Sequence, residues 1–171
     1  MSASSLEVET IADLPTGKVV AAAWEELYAA GRHEPSTSLE WSRALLQSHV
    51  TAKDRVFTVV VREGGRIIAI APVVIQHERL LGPFEVATLT PLSEKYRTHS
   101  DIIGECHRPE VIDALFRAFA ALPCAWDFFR VGRVLESGRL AAGLKDFLGS
   151  AGQKRRVRRE FPSFQVPLTG T

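Results

Sequence analysis

Tyr96, His99 and Asp101 stand close together in the most polar stretch in the middle of the chain, Leu92 to Asp101. An imidazole takes a proton near neutral pH, so His99 is suited to act as general base toward an attacking amine or hydroxyl. If the stretch is extended, His99 and Asp101 fall on one face, where the carboxylate can orient the ring. The competing expectation is a solvated loop whose Asp caps a turn. Arg97 can hold an anionic acceptor or be an ordinary surface arginine. A second charged stretch runs from Lys154 to Arg159, with Lys154, Arg156 and Arg158 on one face of a strand and Arg155, Val157 and Arg159 on the other. It suits phosphate, nucleic acid or a carbohydrate-linked diphosphate, or else a solvated edge strand guarded against aggregation. No set of stacking aromatics accompanies it, which argues against a nucleic-acid module.

The remaining reactive residue types point to no chemistry. Cys106 and His107 are adjacent, so on a strand they face opposite ways and read as two ordinary residues. Cys124 reads as core, and the two cysteines together read as free thiols. His33, His49 and His77 are scattered without ligand spacing, so no metal is implied. The tryptophans Trp24, Trp41 and Trp126 read as core anchors.

These residues need a scaffold, and 171 residues suffice for one domain with a real core. A hydrophobic content of 46% against 24% charged residues fits a globular protein, and no apolar run approaches the roughly 20 residues that span a bilayer. The N-terminal MSASSLEVET lacks the basic and apolar regions of a secretory signal, which gives a cytoplasmic expectation.

The centre of the scaffold is Val56 to Gln76, two Val/Ile-rich arms around Arg62-Glu63-Gly64-Gly65-Arg66. Paired glycines permit the positive φ of a tight hairpin turn. Neither arm alternates strictly, so both faces should be covered, which asks for helices on each side of a sheet. Pro72 should make the second arm bulge or splay. Around this hairpin, Leu6 to Ile11 predicts a first strand and Lys18 to Ala30 a helix facing the core through Val20, Trp24 and Leu27. Thr37 and Glu40 predict a capping box for a helix through about Ser48, buried through Trp41, Leu45 and Leu46. Phe84 to Thr90 predicts another strand, Pro109 opens a strongly periodic helix, Trp126 to Val134 predicts a strand, and Ser137 caps a last helix. Two closing strands are expected from Gln153 to Phe161 and from Ser163 to Leu168.

This α/β order, βααβββαβαββ, resembles the GNAT acyltransferase fold, a mixed central sheet with helices on both faces. Trp24-Glu25-Glu26-Leu27, Pro35 with Trp41, the hairpin, and WDFFRVGRV at Trp126 to Val134 resemble the N-terminal half of tandem proteins of the CelD type, grouped with the Fem peptidyl transferases. The resemblance implies an acyl group moved from acetyl-CoA or another acyl-CoA to an amine or hydroxyl of a cell-envelope or polysaccharide precursor. It implies one GNAT-like domain over residues 1–171, with 161–171 leading toward a second GNAT-like domain, or a homodimer in its place. It also places a coenzyme A pyrophosphate on backbone N–H groups at the start of the helix after the fourth strand, in a loop Arg/Gln-x-x-Gly-x-Gly/Ala. The equivalent stretch, Ile103 to Pro109, matches only at Gly104, the candidate cofactor-binding residue. Glu105 puts a negative charge where the pyrophosphate would lie, and Pro109 removes a donor. The alternative the resemblance allows is a non-catalytic half that packs on its partner domain and shapes the acceptor site.

Overall fold

Gly64 and Gly65 take φ values of +56° and +80° and turn strand β2 (Arg55–Glu63) back on β3 (Arg66–Leu81), the hairpin read from the two glycines. The computed structural model describes residues 5–31, 35–81, 84–93, 102–134 and 138–150. Within them the other strands are β1 (Leu6–Ala12), β4 (Phe84–Pro91), β5 (Ile103–Gly104) and β6 (Phe128–Phe129), and the helices are α1 (Lys18–Ala30), α2 (Leu39–His49), α3 (Pro109–Ala120) and α4 (Arg139–Ser150). The sheet runs β1-β2-β3-β4-β6, antiparallel except for the parallel β4/β6 pair, and β5 lies antiparallel on β3. Through α4 this is the expected order with one short strand, β5, added. The two closing strands and residues 161–171 lie outside the described residues.

The Val/Ile runs of the hairpin are buried on both faces, as their lack of alternation predicts. Phe57, Val59 and Val61 pack against Ile112, Leu115 and Phe119 of α3 and Leu140 of α4. Val56 and Val60 pack the other way, against Val20 and Trp24 of α1 and Leu39 and Leu45 of α2. Each fully buried Val or Ile contributes roughly 2 kcal/mol, so the hairpin is the layer on which both helix pairs depend. No helix among the described residues is long and apolar enough to cross a membrane.

Four local expectations are corrected. The bulge is at Ile68, where Val61 pairs Ala69 but Arg62 pairs Ile67. Pro72 sits opposite Thr58 without a shift, in the interval where the outer edge of β3 passes from β5 at Ile70 to β4 at Val73, so its missing N–H costs nothing there. The cap of α2 is Ser38, whose Oγ accepts from the Trp41 N–H at 3.2 Å, while Thr37 belongs to a preceding 3-10 turn and its carbonyl accepts from Trp24 Nε1 at 3.0 Å. With the helix so started, Leu39, Ser42 and Leu45 face inward and Trp41 is left 41% exposed. Finally, Trp126 to Val134 contributes only the two residues of β6. Beyond Arg130, whose N–H donates to Leu89 O, the chain leaves the sheet and Arg133 takes a positive φ of +50°.

Candidate functional site

Tyr96, Arg97, His99, Asp101, Arg156 and Arg158 all lie outside the described residues. The ends of the segment carrying the first four are placed. Leu92 and Ser93 are buried at the end of β4, beside Val73, and the chain returns as buried Ile102 and Ile103 beside Ile70. Both ends therefore meet β3 on either side of Pro72.

Gly104 is where β5 touches the bulge of β3. Its φ is +100°, and a Cβ there would stand 2.1 Å from Ile68 O, so the backbone of β3 itself requires a glycine. The next amide, Glu105 N–H, donates to that same Ile68 O at 2.9 Å. Cys106 follows, fully buried against α3 and α4, with His107 exposed; the two lie in a turn rather than on the strand for which alternation was expected. Gly143 of α4 approaches this turn so closely that a Cβ would lie 2.1 Å from Cys106 O and 2.8 Å from Ile112 Cγ1.

The turn leads into the start of α3, where an anionic cofactor would be held if this domain held one. Arg108 fills the place. Its guanidinium donates to both Glu63 oxygens at 3.0 and 3.1 Å, to Glu105 Oε2 at 2.8 Å and to Glu110 Oε1 at 2.8 Å, and Arg66 donates to Glu105 Oε1 at 3.3 Å. The bonds to Glu63, then Glu105, then Glu110 hold the Arg108 proton more firmly than usual. Three carboxylates against two guanidiniums leave this cluster with one net negative charge. The backbone donors are spent as well. Pro109 has none, Glu110 N–H is bonded by its own side chain, which lowers that carboxyl's pKa, and Val111 and Ile112 N–H both reach Arg108 O at 3.1 and 3.2 Å. A diphosphate does not fit here: it would meet carboxylates, and the amides of Glu105, Arg108, Val111 and Ile112 are already bonded. Glu105 and Pro109 were legible as obstacles in the sequence. Glu63 was not, because it arrives from the hairpin turn, 45 positions away.

The opposite face of the sheet carries a group that sequence reasoning missed. Val74 pairs Thr90, Gln76 pairs Thr88, and Thr88 pairs Phe128 across β3, β4 and β6. Val74 packs with α1 and α2, so its partners stand on that face too. Thr90 is fully buried and Gln76 half-buried, and neither the Thr90 hydroxyl nor the shielded Gln76 amide nitrogen has a hydrogen-bond partner among the described residues. Thr58, a buried threonine of the same face, contrasts with them by donating to Asp13 O at 2.9 Å. An orphaned buried polar group costs about 1–3 kcal/mol. Phe129 packs into the α3 side against Phe116 and Phe119, which leaves the neighbouring Phe128 on the α1/α2 face, 51% exposed. Beyond Gln76, Glu78 accepts from both Arg130 terminal nitrogens at 2.8 and 2.6 Å, and these bonds hold its carboxyl below the usual range.

No protein-family model matches the chain, and no curated protein matches it. Among solved structures, an aminoglycoside 6'-N-acetyltransferase from Acinetobacter haemolyticus, solved in the apo state, is similar at 12% identity and a TM-score of 0.47, over 94% of this chain and 99% of that one. A likeness of that size carries no argument about this chain.

Proposed function

We propose that this chain is the acceptor-side half of a GNAT-type acyltransferase, serving transfer from an acyl-CoA to an amine or hydroxyl of a cell-envelope or polysaccharide precursor while the donor is held outside this domain. One observation carries the reading. The start of α3 is closed by Arg108 and the carboxylates of Glu63, Glu105 and Glu110, in a scaffold whose element order is otherwise the one expected of an acyl-transfer domain. The donor belongs to a second GNAT-like domain or to another subunit.

In this reading the segment rooted at Pro72 works on the acceptor. His99, oriented by Asp101, takes the proton from the attacking nitrogen or oxygen, and Tyr96 and Arg97 hold the acceptor in line. Arg156 and Arg158 meet the phosphate of a carrier-linked precursor. The test is thiol release from acetyl-CoA in the presence of amine and hydroxyl acceptors. The chain alone is expected to be silent, and the chain supplied with a second GNAT-like domain is expected to turn over and to lose that turnover in His99→Ala. Turnover by the isolated chain would overturn the division of labour.

A further inference from the structure

We infer that the outer edge of β1 takes Lys154 to Arg159 of a second copy of this chain as an added antiparallel strand, in a reciprocal two-fold dimer. β1 ends the described sheet and pairs only with β2, from Leu6 opposite Glu63 to Ala12 opposite Phe57, without a register shift. Just past it, the Asp13 N–H donates to Val56 O at 2.9 Å. In this ladder the odd-numbered residues therefore bond β2, and Leu6, Val8, Thr10 and Ala12 turn their N–H and C=O groups outward. No described strand covers them. An edge of this length is ordinarily blunted by a proline, a lysine or a bulge, and Leu6 to Ala12 contains none of these.

The side chains of β1 select the occupant. Glu7 and Glu9 are exposed on the α1/α2 face. Val8 lies between them on the α3 face, opposite Val61, and is 42% exposed. Two β1 strands paired along their full length would set Glu9 against Glu9, which is destabilising. A basic strand is favoured instead. Lys154 to Arg159 carries basic residues at alternate positions, with Val157 its one apolar residue. Laid antiparallel with Val157 opposite Val8, it places Arg158 opposite Glu7 and Arg156 opposite Glu9. Val8 bonds outward, so Val157 forms the hydrogen-bonded pair, and both Arg/Glu pairs fall at the closer, non-hydrogen-bonded positions. Glu9 already accepts from Arg62 through Oε2 at 3.0 Å, which leaves Oε1 for the newcomer. Arg156 and Arg158 keep donors for a phosphate, since a carboxylate takes at most two of the five N–H groups of a guanidinium.

The same chain is badly placed to supply this strand. Phe147 of α4 stacks on Phe116, whose ring also meets Phe129 of β6, at 4.7 and 5.0 Å, so α4 ends near the β6 side of the sheet. β1 is four strand spacings from β6, about 19 Å. The chain from Ser150 to Lys154 reaches about 14 Å at full extension, and α3 lies in the way against β1 and β2. A second copy has no such limit, and exchange in both directions closes the assembly as a dimer.

The test is a charge exchange read by sedimentation velocity of the whole chain. The wild-type chain is expected to dimerise with a dissociation constant on the order of micromolar. Glu7→Lys with Glu9→Lys, at exposed positions, should keep the fold and weaken the dimer about a hundredfold. Arg156→Glu with Arg158→Glu should do the same. Mixed in equal amounts, the two double variants should form a heterodimer, because opposite charges then meet at both interfaces. Amide exchange gives a second readout. The Leu6, Val8 and Thr10 amides should be protected in the wild-type dimer and open in either variant alone, while those of Glu7 and Glu9 stay protected by β2. A wild-type chain that remains monomeric well above micromolar concentration would overturn the inference. So would a dimer that either double variant leaves intact, or a mixture of the two that stays monomeric. Protection of Leu6, Val8 and Thr10 in a monomer would put a segment of the same chain on the edge and would overturn it as well. Thiol release bears on the acyl-transfer reading and oligomeric state on this one, so either can fail alone.

Discussion

The start of α3 and the β3–β4 patch handle buried polarity in opposite ways. At α3 the Arg108 guanidinium meets three carboxylates, and Gly104 and Gly143 let backbone lie against backbone with no room for a methyl group. At the patch, a hydroxyl and an amide on a fully packed sheet face have nothing to bond among the described residues, and an aromatic ring stands open beside them. A region that has satisfied itself is built for the fold. A region that carries an unsatisfied buried polar group bears a standing cost to stability.

Substitutions should separate the two regions by sign and size. The largest effects belong to the closed region. Gly104→Ala forces a side chain into positive φ and onto Ile68 O, and Gly143→Ala drives one onto Cys106 O, so each should cost about 3 kcal/mol or more in urea unfolding. A loss under half that size would mean the turn before α3 has slack, and room for a ligand. Arg108→Met comes next. It removes the guanidinium that Glu63, Glu105 and Glu110 share and leaves Glu105 only the exposed Arg66, and because the Arg108 side chain is 25% exposed the loss should be about 2 kcal/mol rather than the 3–5 typical of a fully buried pair. Adding Glu63→Gln and Glu105→Gln should restore most of it, and no restoration would contradict the charge balance. At the patch the sign reverses: Thr90→Val should stabilise by about 1 kcal/mol, measured by the same unfolding curves. A loss there would mean the hydroxyl is satisfied after all.

The smallest effect is the response to acid. The Glu110 carboxyl is lowered by its own N–H and by Arg108, and that of Glu78 by Arg130. A lowered carboxyl contributes stability above its ordinary pKa, 4.5, and loses it as pH falls through the lowered folded value. Thermal unfolding should therefore be flat above about pH 5 and drop steadily below it, with the drop reduced in Arg130→Met. An unchanged acid profile in that variant would contradict the pair's role.

What the sequence made legible followed from local rules. The paired glycines set the hairpin turn, Pro109 set the start of α3, and the unbroken Val/Ile arms of β2 and β3 announced helices on both sides. What it hid depended on partners far along the chain. The Arg108 cluster needs Glu63 from the hairpin, and the bulge falls at Ile68, beside the docked β5, rather than at Pro72. Gly104 was visible as a glycine but not its reason, which is the Ile68 carbonyl. The Trp126 to Val134 pattern promised a full strand, yet Arg133 turns the chain out of the sheet. The Gln76 and Thr90 pair was invisible, since two polar residues on different strands become neighbours only when the register sets them diagonally on one face.

The central claim is that the start of α3 cannot take a diphosphate. Titration of the chain with coenzyme A, followed by calorimetry and by the amide signals from Glu105 to Ile112, tests it directly. The account predicts no saturable heat and unmoved amides; saturable binding that shifts the Glu110, Val111 and Ile112 amides would contradict it.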